Sequence, residues 1–86
     1  MAYITIGHWK PYPSPEEKAL IEAQVAVWVS QGKTDGTYHG VQNHEESSVT
    51  VVRTWVDLAA AQELVDWSNA NGFVAPRWTC TIEQQS

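Results

Sequence analysis

The sequence predicts an α+β sandwich whose elements run β-α-β-β-α-β, and three observations predict it. Two stretches with apolar residues at helical spacing each open on a strong cap, Ser14 and Asp57. Four stretches of alternating or β-branched character surround them. Turn-forming residues punctuate the stretches, with Pro11, Pro13, Gly32, Gly36, Gly72 and Pro76 falling between them.

Taken in order, residues 2–9 form the first expected strand. Ile4, Ile6 and His8 lie on one face, expected to look toward the helices; Tyr3, Thr5 and Trp9 lie on the other. Ser14-Pro15-Glu16-Glu17 starts the first helix. Ser14 suits the N-cap, Pro15 the first helical position, and Glu17 closes a capping box. The helix runs to about Gln31 and stops at Gly32, with Leu20, Ile21, Val25, Val27 and Trp28 as its apolar stripe. Thr34-Asp35-Gly36-Thr37 is a turn. Tyr38 to Asn43 is a second strand, joined to a third by the polar run His44-Glu45-Glu46-Ser47. Ser48 to Val56, dense in valine, threonine and tryptophan, is the clearest strand, and both its faces are partly apolar.

Asp57 caps a second helix that continues to about Asn71, with Leu58, Ala61, Leu64, Val65 and Ser68 turned inward. Asn71-Gly72 ends it, and Phe73 folds back on its last turn. In the fourth strand Trp78, Cys80 and Ile82 alternate with Arg77, Thr79 and Thr81. This order is the ferredoxin-like, split-βαβ arrangement: one domain over residues 1–86, a four-stranded antiparallel sheet with two helices on one face. The bare face is expected to carry Tyr3, Thr5, Trp9, Val49, Val51, Trp55, Thr79 and Thr81. A face that apolar calls for a cover, and a second copy related by a two-fold axis is the simplest one. Tyr3, Trp9, Val51, Arg53 and Trp55 are the expected interface residues.

Composition narrows the partners. With 86 residues, five tryptophans and a net charge of −5, the chain is a small acidic globule. Five Lys plus Arg give no footprint for nucleic acid or for an anionic membrane. No apolar run is long enough to span a bilayer, and the first residues show no signal-peptide pattern. Cys80 is the only cysteine, which suits a reducing, cytoplasmic setting and leaves no thiolate metal cluster.

The run Val52-Arg53-Thr54-Trp55-Val56-Asp57, followed by Leu58-Ala59-Ala60-Ala61-Gln62, resembles the strand, acidic cap and Ala-rich helix of the dimeric α/β-barrel group. That group includes antibiotic-biosynthesis-type monooxygenases and many small proteins. The resemblance implies the fold and a homodimer. Monooxygenase members commonly carry a histidine in the second helix, where this chain has Leu64-Val65-Asp66-Trp67. The first functional expectation is therefore a non-catalytic homodimeric assembly module. The alternative is a cofactor-independent monooxygenase or isomerase acting on a small aromatic or polyketide-like substrate.

For that alternative, His8, Gln24, Trp28 and Trp55 are the expected pocket lining, with a small apolar ligand between sheet and helices. His39 and His44 are five apart and face opposite sides of a regular strand, so no metal site and no cofactor is expected. Glu16, Glu17 and Asp57 belong at helix N-termini, where their charge is favoured by the dipole. Arg53 has three possible uses: stacking on Trp55 or Trp78, binding an anionic ligand, or pairing with a carboxylate across an interface, the last being preferred. Cys80 is expected to be a small core residue.

Overall fold

The computed structural model describes residues 2–85. Its elements are β1 (Ala2–Trp9), α1 (Pro15–Ser30), β2 (Tyr38–Asn43), β3 (Ser48–Trp55), α2 (Leu58–Ala70) and β4 (Trp78–Gln85). The strands form one antiparallel sheet in the order β2-β3-β1-β4, the ferredoxin-like topology.

Local signals set the element ends. Ser14 accepts from the Glu17 amide at 3.1 Å, and Glu17 Oε1 accepts from the Ser14 amide at 2.8 Å, so the capping box is complete. Asp57 caps α2 by accepting from the Ala60 amide at 2.8 Å. Gly72, at φ 86°, turns the chain out of α2. The Phe73 amide then donates to Ser68 O at 2.9 Å and its ring is buried. In the turn before β2, Asp35 Oδ1 accepts from both the amide and the hydroxyl of Thr37, at 2.9 and 2.7 Å. Thr34, buried, ties the same loop to β3 by donating to Thr54 O at 2.7 Å.

The two sides of the sheet are the reverse of the expectation for β1 and β3. Pairing sets Tyr3 opposite Trp55, Thr5 opposite Arg53, Gly7 opposite Val51 and Trp9 opposite Val49. These are the residues under the helices: Thr5, Gly7, Trp9 and Trp55 are all buried. Ile4, Ile6 and His8, paired with Thr54, Val52 and Thr50, occupy the bare side. In β4 the expected alternation holds, with Trp78, Cys80 and Ile82 inward and Thr79 and Thr81 outward.

The reversal has a packing cause. All five tryptophans and Phe73 form one chain of ring contacts: Trp55 to Trp28 (5.4 Å), Trp28 to Trp67 (5.8 Å), Trp67 to Phe73 (6.0 Å), Phe73 to Trp9 (5.1 Å) and Trp9 to Trp78 (6.2 Å). Most are edge-to-face, the arrangement favoured by the ring quadrupoles. Small residues make the space: Ala60 and Ala61 of α2 are buried in the cluster around Trp28 and Trp55. A Cβ on Gly7 would lie 3.1 Å from Trp78 Nε1. The one polar atom of the deepest ring is satisfied, because Trp55 Nε1 donates to the buried Thr5 hydroxyl at 2.9 Å. A small core therefore accommodates a continuous chain of large rings.

The two helices sit differently. Ala60, Ala61, Leu64 and Ser68 press α2 onto β1, β3 and β4, whereas Leu58 is half-exposed and Val65 only partly buried. By contrast, no Cα of α1 lies within 8 Å of a strand Cα among the described residues. Val25 and Trp28 anchor α1, while Leu20 and Val27 of its expected stripe point outward. Trp28 acts as a long spacer, and the raised helix leaves room beside it, over β2 and β3.

Candidate functional site

That room is a cavity of about 460 Å³, within the ordinary range of small-molecule sites. Its floor is the inward side of β2 and β3, with Val49, Val51 and Arg53 from β3. Alternation puts these three on one side, and pairing adds Tyr38, Gly40 and Gln42 of β2 beside them. The roof is one flank of α1, where Lys18, Ile21 and Glu22 lie at i, i+3 and i+4. Trp9 closes the inner end, and Tyr12 and Pro13, between β1 and α1, close another.

Three flat rings, Trp9, Tyr12 and Tyr38, thus surround aliphatic Ile21, Val49 and Val51. Tyr12 is held by its hydroxyl, which lies 3.3 Å from His44 Nδ1 and donates to Asn43 O at 3.4 Å. The β2–β3 turn that supplies these partners is itself pinned by Asn43 Oδ1, which accepts from the Glu45 and Glu46 amides. A second chamber of about 320 Å³ lies on the other side of Glu22, Tyr38 and Arg53, against Val25, Ala26, Val29 and Gly36.

Arg53 is the centre of the site. Its guanidinium stacks on the Tyr38 ring, 4.7 Å from the centroid, and burial pulls its pKa below the usual arginine value, opposed by Tyr38 and Glu22. Arg77 behaves otherwise. It lies over Trp9 at 5.2 Å and forks onto Glu17, whose carboxyl is held at about 2 chiefly by that hydrogen bond. Glu17 therefore caps α1 and also ties it to the residue preceding β4.

None of the four residues expected to line a pocket does so. His8 is on the bare side of the sheet, where its Nδ1 lies 3.1 Å from Thr50 Oγ1. Trp28 and Trp55 are core, exposed by 2% and 1%. Gln24 is half-buried on α1, away from the lining. Three expected interface residues, Trp9, Val51 and Arg53, line the cavity instead, and Tyr3 packs against the core. The displacements of His8, Trp55 and the expected interface residues follow from the exchange of the two sheet sides, whereas Gln24 and Trp28 belong to α1. Arg53 stacks on Tyr38 rather than on Trp55 or Trp78.

Sequence reasoning missed Tyr12, Lys18, Glu22 and Tyr38. The i, i+4 pair Lys18 and Glu22, flanking Ile21 on one side of α1, was the available signal. His39 is exposed on β2 and His44 sits in the following turn; among the described residues no three His, Cys, Asp or Glu side chains gather as a metal site. Cys80 is half-buried, and desolvation pushes its thiol up to about 11. No helix of the described residues is long and apolar enough to cross a membrane.

Comparison with solved structures shows the same fold. Rv0793 from Mycobacterium tuberculosis superposes with a TM-score of 0.64 at 12% identity, covering 100% of this chain and 96% of that one. SnoaB, a cofactor-independent oxygenase from Streptomyces nogalater, seen in a mutant form, gives 0.59 at 12% identity, with 98% and 92% covered. No protein-family model matches the chain, and no curated protein matches it in sequence. The ferredoxin-like fold expected from the sequence is thus shared with both structures.

Proposed function

We propose that this protein binds a small, flat, largely apolar molecule in the cavity under α1, and that it does so as a homodimer joined through the bare sheet face. The observation that carries the binding reading is the cavity itself, walled by Trp9, Tyr12 and Tyr38. A module serving assembly alone has no use for a helix held off its sheet over three aromatic walls. Tryptophan fluorescence and the Trp9 indole N–H resonance report on the site directly. Titration with two-ring aromatic compounds should shift the Trp9 signal and leave that of Trp55, which is deep in the core, nearly still. Equal small shifts at both, or none at millimolar ligand, would count against a binding site here.

For the dimer, the supporting feature is the aliphatic centre of the bare face, where Ile6 and Val52 are cross-strand partners beside Ile4. A second copy supplies a matching face without any change to the helix-side cavity. Ile6→Glu places a charge at that centre, and should convert a dimer to a monomer in light scattering at tens of micromolar. A wild type already monomeric at that concentration would remove this part of the reading.

Turnover is the second reading, favoured by the likeness to SnoaB, an oxygenase needing no cofactor. The site offers Arg53 as a donor for a developing oxyanion, and the Tyr12–His44 pair as a proton path at the mouth. Oxygen consumption with pocket-binding phenols, no metal or flavin added, tests it; uptake no faster than in buffer leaves a binding protein.

A further inference from the structure

We propose that the cavity selects a flat molecule carrying a single carboxylate, which the Arg53 guanidinium receives in its own plane. This rests on the binding reading above and names the chemistry of the ligand.

The other cations with partners in the structure are fully engaged. Lys33 is paired with Glu63 and Arg77 with Glu17. Among the described residues the Arg53 guanidinium has no hydrogen-bonded or ion-paired partner; it stacks on the Tyr38 ring. Stacking on that ring occupies one broad face of the guanidinium and leaves the N–H edge free. The edge is reachable, since Arg53 borders both chambers. Burial disfavours the charge, and a partly desolvated guanidinium gains most from an anion that meets its donors in pairs, as a carboxylate does.

Charge at the site sets how much anion it accepts. Arg53 and Lys18 face the cavity with one carboxylate, Glu22, which acts on Arg53 through its charge without a hydrogen bond. The balance is one net positive charge, which suits a monoanion and disfavours a doubly charged phosphate. Apolar Val49 and Val51 and the rings of Trp9 and Tyr12 provide for the flat remainder of the ligand.

The test compares 2-naphthoate with 2-naphthamide, equal in shape and differing in charge, by NMR titration of the full chain, following the Arg53 Nε–H and the Trp9 indole N–H. Naphthoate should bind about 10- to 100-fold more tightly than naphthamide, the range expected when a charged hydrogen-bond pair is added. Arg53→Met should abolish that preference, bringing the ratio of the two affinities close to one. Glu22→Gln, at an exposed helix position where folding is not at stake, should raise the preference for naphthoate over naphthamide several-fold. Equal affinity of the two probes for the wild type, or a Glu22→Gln variant without effect on either, would overturn the carboxylate assignment and spare the cavity as a binding site. If neither probe binds at millimolar concentration, the binding reading falls and this one with it.

Discussion

Replacing Glu17 by Gln should cost about 1–1.5 kcal/mol at neutral pH, and that cost should vanish in acid. Glutamine keeps the capping box, because its amide oxygen can still accept from the Ser14 amide. What it loses is the fork to Arg77. The carboxyl falls from 4.5 to about 2 in the folded chain. If that whole drop were stability it would amount to roughly 3 kcal/mol. The two side chains are 24% and 35% exposed, so water screens the pair and at most half of that figure should survive. The folded pKa lies below the unfolded one, so the contribution is fully present above pH 4.5 and is lost as pH falls through about 2. Thermal melts of wild type and Glu17→Gln from pH 7 to pH 2 measure it. A domain of this size should show a gap of about 4–10 °C at pH 7, closing steadily below pH 4.5. A gap that stays constant down to pH 2 would mean that the loss comes from the cap and not from the ion pair. No gap at pH 7 would mean that the pair contributes nothing.

Other parts of the structure give further expectations. Gly7→Ala places a Cβ 3.1 Å from Trp78 Nε1 and must move that ring against Trp9. It should destabilise by about 1–3 kcal/mol and alter the near-UV circular dichroism, and an unchanged aromatic spectrum would show the ring has slack. Cys80, with its thiol pushed up to about 11, should react slowly with a disulfide reagent at pH 8 and faster as pH rises toward 11. Full reactivity at pH 8 in the folded protein would contradict its burial on the helix side of β4.

Much of the architecture follows from the chain read by itself. Both caps act within three residues of one another, Ser14 with Glu17 and Asp57 with Ala60, so local sequence suffices to place the helix starts. The order of the six elements and the alternation of β4 are local in the same sense. The inward sides of β1 and β3 were not legible, because both alternating sets in each strand carry apolar residues. Ile4 and Ile6 compete with Trp9 for the interior, and Val52 competes with Trp55. Only the three-dimensional packing decides between them. The gap above Gly7, the small Ala60 and Ala61, and the Thr5 hydroxyl waiting for the Trp55 indole exist once distant segments meet. The cavity depends on the same decision: an aromatic spacer, Trp28, lifts α1 above β2 and β3, and that height is a property of assembled layers, which no single segment encodes.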